Sequence, residues 1–265
     1  RPRPEPSLQE GPMPDAAPTL VRGSAVRLIV FDFDQTLSVF HVFKTLAGWA
    51  EGDAAQGKGG GSSFRVPAPF ATSEEGQVRR ILELDASEFK AAGGFARAAF
   101  GGEARAREVG ELLRGLREAG AELLVCTKGL VGAVRKCLQD LDLLQHFSEV
   151  YGNVGCAYGM TAYDKQAAGA GPLGAAARQL LGREAQGNWG SKDQLVARLM
   201  KERGLRRSEC VLIEDDPVEI RRAAPVCRTL FVHPAAGVAQ EHAAKLLRMA
   251  SEPPRGAGPA AEPAR

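Results

Sequence analysis

RLIVFDFDQTL, residues 27–37, is the stretch whose reading decides the fold. Leu28 to Phe31 form an unbroken apolar run that leads straight into Asp32, with Asp34 two residues further on. Such a run suits a strand buried on both faces that delivers acids at its C-terminal tip. Carboxylates placed there are costly to desolvate, so the pair needs a cation, a chemical task, or both.

Further strands can be read outward from this one. AELLVCT (121–127), ECVLIEDDP (209–217) and RTLFVH (228–233) are apolar runs bounded by polar or turn residues. Between them lie helical patterns: 108–118, stopped by Gly120; 130–144, with Arg135 and Lys136 expected on the solvated face; and 187–204, with Ser191 as expected cap. VEIRRAA (218–224) gives one more helix, whereas HFSEVYGNVG and AYGMTAYDK are expected to be loop-like, with room for a short β-element. Strands alternating with helices predict an α/β, Rossmann-like fold: an open parallel sheet with helices on both faces and a ligand site at the strands' C-terminal ends.

About 65 residues separate the first strand from the next clear α/β unit, longer than the usual short connection. This insertion, 38–104, contains the helical patterns 39–50, 73–84 and 89–100 and a glycine-rich break at Gly57 to Gly61. It is expected to form a small, mostly helical cap; a loop with local helices is the alternative. The Pro-rich segment 1–24 and the tail 251–265 show no apolar periodicity and are expected to be disordered, which leaves 25–250 as the folded domain.

Composition narrows the class. Apolar residues make up 44% of the 265, enough for a sizeable core, and the net charge of +2 comes from mixed signs without a basic block. No nucleic-acid or membrane partner is therefore expected, and no run approaches the roughly 20 apolar residues that span a bilayer. The five cysteines show no metal-binding or redox spacing and are expected to be reduced thiols, which suits a cytoplasmic protein.

Four polar clusters stand at strand tips or a helix start: Asp32/Asp34, Thr127, Lys192 and Glu214/Asp215/Asp216. Lys192 would add positive charge to the positive end of a helix dipole, which a nearby anion would justify. In this order and spacing the four clusters resemble the motifs of haloacid dehalogenase-like hydrolases, over roughly residues 27–235. The resemblance implies a Mg²⁺-dependent phosphatase, with Asp32 as nucleophile forming an aspartyl-phosphate and Asp34 as general acid/base. It implies that Thr127 and the backbone of Lys128 and Gly129 bind phosphate, and that Lys192 offsets the charge shared by nucleophile and phosphate.

For the metal, the resemblance implies Asp32, the backbone carbonyl of Asp34, and Asp215, with Glu214, Asp216 and Glu219 as further possibilities. Asp216 has a second reading as the cap of the following helix, and a Glu immediately before Asp215 departs from the usual pattern. Asp34 favours phosphate chemistry, since dehalogenases of the superfamily generally lack the second acid.

The expected partner is a phosphorylated small molecule or a phosphopeptide. A phosphomutase, a protein phosphatase or a binding module with faded activity are the rival readings. His41 reads first as a partly buried structural histidine and second as a pocket residue. Cys126 reads first as a packing residue, while Trp49 and Trp189 read first as core packing or exposed aromatics and second as residues of a pocket rim.

Overall fold

The structure is a computed structural model describing residues 25–50, 65–234 and 236–251. The expectations for 1–24, for Gly57 to Gly61 and for the tail beyond Ser251 lie outside the described residues.

In chain order the elements are β1 (Leu28–Phe31), α1 (Val42–Ala47), α2 (Glu74–Ala86), α3 (Phe95–Ala99), α4 (Glu103–Glu118), β2 (Glu122–Leu130) and α5 (Val131–Asp140). Then follow β3 (Glu149–Asn153), α6 (Ala162–Gly169), α7 (Ala175–Arg178), α8 (Glu184–Gly187), α9 (Lys192–Glu202), β4 (Cys210–Glu214), α10 (Pro217–Ala223), β5 (Arg228–Phe231) and α11 (Gln240–Ser251). The sheet has the order β3-β2-β1-β4-β5 and every pairing is parallel. This is the α/β, Rossmann-like architecture expected from the sequence.

β1 sits at the centre, with Leu28 opposite Glu122 and Cys210, and Phe31 opposite Val125 and Ile213. Its side chains alternate between two cores. Ile29 and Phe31 join Leu123, Val125, Val211 and Ile213 in the larger one, while Leu28 and Val30 join Leu124, Leu212 and the α9 residues Leu195, Val196 and Leu199 in the smaller. A strand covered on both faces has no polar side, which is why the run 28–31 is unbroken. Each fully buried aliphatic side chain contributes about 1.5–3 kcal/mol.

α4 faces the larger core with Val109, Leu112, Leu113 and Leu116, the spacing of one helical stripe. The helices of segment 38–104 use that same core: Val42, Phe43 and Leu46 of α1, Ile81 and Leu84 of α2, and Phe95 of α3 all belong to it. Ser73 caps α2 by accepting from Gly76 N at 3.0 Å. The next residue, Glu74, is buried and accepts from Gly132 N (2.7 Å), Gly155 N (2.8 Å) and Gly182 N (2.7 Å). One carboxylate thereby ties α2 to the start of α5 and to two loops.

Several local expectations are corrected. Arg135 and Lys136 are not on a solvated face, because α2 and β3 pack around α5. Lys136 is buried with Asp140 at 2.5 Å and Asp85 at 3.4 Å, and Arg135 pairs with Glu149 at 3.0 Å. β2 continues past Thr127 to Leu130, with a register irregularity against β3 between Cys126 and Leu130. Of the two stretches expected to be loop-like, 146–155 contains β3, the short β-element allowed for there, whereas 157–165 contains the start of α6, which a Thr161/Asp164 capping box opens. α11 is an element the sequence reading did not identify; it buries Leu246, Met249 and Ala250. Among the described residues, no helix is long and apolar enough to cross a membrane.

Candidate active site

The parallel order places the C-terminal tips of β1, β2 and β4 side by side, and the polar clusters of the sequence converge there. A cavity of about 320 Å³ is lined by Asp32, Asp34, Thr127, Lys192, Glu214 and Asp215, with His41, Lys44 and Lys128 also on its wall. Ligands of open α/β sheets bind at such a crevice, where connections leave the sheet in opposite directions.

Lys192 is the buried cation at the centre. Its Nζ donates to Asp32 Oδ1 at 2.6 Å and to Glu214 Oε2 at 2.5 Å. Ser191 occupies the cap position of α9 as expected, but its side chain makes no capping bond. The expected anion near Lys192 is therefore a pair of carboxylates from β1 and β4.

Asp32, Glu214 and Asp215 offer carboxylate oxygens that all lie within 4.8 Å of one another. Burial pushes Asp32 up to about 6 against the downward pull of Lys192, with Asp215 and Asp34 adding to the rise. Glu214 is pushed up to about 8 by burial and by Asp32, again against Lys192. Asp215 is raised as well, chiefly by burial. Lys192 is raised because the two carboxylates outweigh its own desolvation. Three acids facing one ammonium leave the cluster short of positive charge.

The remaining acids of the fourth cluster have separate partners. Asp216 accepts from Val218 N at 2.7 Å and caps α10, in which Pro217 is the first residue. Glu219, on α10, is buried beside Lys128 (2.9 Å) and Arg222 (3.4 Å), and its second oxygen has no partner among the described residues. It stands outside the oxygen cluster of Asp32, Glu214 and Asp215.

Asp34 faces the opposite wall, towards α1. Its Oδ1 accepts from Phe43 N at 3.4 Å, and its Oδ2 lies 3.3 Å from His41 Nδ1. Burial pulls the His41 imidazole down, but the Asp34 carboxylate reverses this and the net direction is up. His41 is thus a cavity residue, the reading placed second from the sequence alone.

Thr127 is buried and its Oγ1 accepts from Gly129 N at 2.9 Å, which leaves its hydroxyl hydrogen free to donate elsewhere. A Cβ at Gly129 would come to 3.2 Å from Asp34 Oδ2 and 3.3 Å from Thr127 Oγ1. Glycine therefore keeps open the gap between the acid and the hydroxyl.

Sequence reasoning missed three participants. Thr36 Oγ1 donates to Asp215 Oδ1 at 3.3 Å, a link signalled by the Thr two residues after Asp34 in the stretch 27–37. Tyr158 OH donates to Lys128 O at 2.5 Å, and Asn153 Nδ2 donates to the same carbonyl at 2.8 Å. Nothing in the stretch 153–158 announces these bonds, which depend on β3 lying beside β2.

No family model matches the chain, and no curated protein matches it. Among solved structures it is similar to a haloacid dehalogenase-like family hydrolase from Streptococcus pneumoniae, at 16% identity, over 83% of this chain and 90% of that one, with a TM-score of 0.38. A haloacid dehalogenase superfamily hydrolase from Ehrlichia chaffeensis matches at 10% identity over 85% and 97%, with a TM-score of 0.40. A phosphoserine phosphatase matches at 15% identity over 76% and 83%, with a TM-score of 0.37. The solved structures to which this chain is similar thus include haloacid dehalogenase-like hydrolases and phosphatases.

Proposed function

We propose that this protein is a phosphomonoester hydrolase of the haloacid dehalogenase-like type, working through an aspartyl-phosphate on Asp32. The observation that carries the reading is the shared ammonium of Lys192, 2.6 Å from Asp32 and 2.5 Å from Glu214, in a cavity that also holds Asp34 and Thr127. A buried carboxylate fixed by a cation at a strand tip, with a second acid and a free hydroxyl facing the same space, meets the needs of phosphoryl transfer.

Each step of the proposed reaction is assigned to one residue of the cavity. An Asp32 carboxylate oxygen attacks phosphorus, the bond from phosphorus to the ester oxygen breaks, and Asp34 delivers a proton to the departing alkoxide. Asp34 then takes a proton from a water molecule that attacks the same phosphorus, and the bond to the Asp32 oxygen breaks to release inorganic phosphate. Lys192 holds Asp32 in one orientation and offsets the charge that nucleophile and phosphoryl group share. Thr127 donates its hydroxyl to a phosphoryl oxygen, with the backbone of Lys128 and Gly129 beside it.

A divalent cation fits the residues present. Asp32, Glu214 and Asp215 form an all-oxygen donor set with too little positive charge, the kind that Mg²⁺ prefers. Asp32 and Asp215 would hold the ion together with the backbone carbonyl of Asp34, whose side chain is turned towards His41 and Phe43. Glu214 is the additional acid of this set, while the helix-capping bond of Asp216 and the ion pairs of Glu219 leave those two as lesser donors. When bound, the ion would supply positive charge to the phosphoryl oxygens.

Segment 38–104 governs what reaches the acids in this proposal, since His41 and Lys44 line the cavity. The substrate is a phosphorylated small molecule or a phosphopeptide. The test is release of inorganic phosphate from a broad panel of phosphomonoesters, with Mg²⁺ present and Asp32→Asn as control. Turnover by the native chain and none by the variant is the expected result; no turnover by either overturns the reading, and isomerised product without free phosphate would replace it with a mutase.

A further inference from the structure

Next to Asp34, joined to it through Phe43, stand three aromatic rings that the proposed chemistry does not use. Phe43, whose N–H bonds Asp34, has its ring centroid 4.3 Å from that of Tyr158 and 5.3 Å from that of Trp49. Trp49 and Tyr158 close the triangle edge to face at 6.0 Å and 87°.

This cluster adjoins the cavity, whose lining includes Lys44 and Lys128 and not the rings themselves. The Tyr158 hydroxyl is held by Lys128 O and by Asn153 Nδ2 at 2.9 Å, so its ring is fixed against the end of β2 that carries Thr127 and Gly129. On the other side Trp49 N donates to Lys44 O at 2.8 Å, just past Gly48, which ends α1 in the left-handed conformation. Lys44 and Lys128 both line the cavity, so the rings are anchored to its wall at two points. Phe43 Cβ is 3.8 Å from where a Gly129 Cβ would stand, and that position is 3.2 Å from Asp34 Oδ2.

The three rings differ in exposure. Phe43 is buried and Tyr158 half-buried, whereas Trp49 is 51% exposed, the most exposed of the large apolar side chains among the described residues. Two rings used in supporting a half-exposed indole form a rigid platform with little side-chain freedom left to lose on binding.

We infer that the Phe43, Trp49 and Tyr158 platform selects phosphomonoesters whose leaving group carries an aromatic ring. The inference rests on the phosphatase reading and names its substrate class. An aromatic ring gains from stacking or edge contact with the indole beyond what its apolar area contributes, and a saturated ring of the same size does not.

The experiment compares benzyl phosphate with cyclohexylmethyl phosphate, both esters of primary alcohols, on the full chain with Mg²⁺. The two non-hydrolysable phosphonates of the same side groups are titrated in parallel by calorimetry. The expected result is a preference for the benzyl compound of roughly three- to tenfold in kcat/KM and in Kd, falling towards unity in both Trp49→Ala and Trp49→Leu. Equal handling of the two rings, or a preference that survives both variants, overturns the inference while leaving the phosphatase reading intact. No hydrolysis of any ester overturns the phosphatase reading, and the phosphonate ratio then still decides whether the platform prefers an aromatic ring.

Discussion

Lys192 Nζ lies 2.6 Å from Asp32 Oδ1, joining residues 160 apart in the chain through a pair of side chains each no more than 6% exposed. Glu214 holds the same ammonium at 2.5 Å, so strands β1 and β4 are bridged by the start of α9. An ion group so completely withdrawn from water is sensitive to the loss of any member.

Removal of the cation should therefore unfold the site as well as silence it. Lys192→Met leaves Asp32 and Glu214 buried without a counter-charge, and the expected loss of stability is about 3–5 kcal/mol. Urea denaturation of the native chain and the variant at pH 8 measures it. A loss below about 1 kcal/mol would mean that the pair is not buried as described.

The acids titrate in a direction that can be checked. Asp32 rises from 3.8 to about 6 and Glu214 from 4.5 to about 8, both chiefly through burial. A carboxyl whose folded pKa is raised binds its proton more tightly in the native state than in the unfolded one. Stability is then greatest below the unfolded values and falls as pH rises towards the folded ones. Metal-free protein is expected to lose stability between pH 4.5 and pH 8. Stabilisation by added Mg²⁺ should grow over the same interval, with protons released on binding. Thermal melts with EDTA and with Mg²⁺ at several pH values test both statements; a Mg²⁺ effect that shrinks as pH rises contradicts them.

Gly129→Ala probes the space between Asp34 and Thr127. The added methyl would stand 3.2 Å from one and 3.3 Å from the other, where a phosphoryl group is proposed to sit. A fall in kcat/KM of roughly 10- to 100-fold is expected, with the melting temperature little changed. Unaltered kinetics would move the phosphate site elsewhere.

Glu74 supports the fold at a distance from the chemistry. Its carboxylate accepts from Gly132, Gly155 and Gly182, so Glu74→Leu strands three backbone donors. A destabilisation of at least about 3 kcal/mol is expected by urea denaturation, against near-neutrality if water can take over those bonds.

The sequence made the central strand and its acids legible because a strand covered on both faces has a distinctive apolar run, and its polar residues fall together at one end. Four separate clusters could be foreseen in one place because a parallel sheet aligns every C-terminal tip. What stayed hidden depends on packing between distant segments. Lys136 looks like a surface residue until α2 covers it, and Tyr158 looks like a loop residue until β3 sets it beside Lys128. Glu74 reads as an ordinary first-turn acid, with nothing local to announce its three distant amides. Asp34 and His41 are only seven positions apart, yet their 3.3 Å contact needs the turn between β1 and α1.

The central claim is covalent capture of the phosphoryl group by Asp32, and rapid acid quenching followed by mass spectrometry tests it most directly. With Mg²⁺ and a hydrolysed phosphomonoester, the peptide bearing Asp32 is predicted to gain one phosphoryl group that hydroxylamine removes, and Asp32→Asn to show neither the adduct nor turnover. A phosphoryl group found on another residue, or steady turnover by Asp32→Asn, would contradict the account.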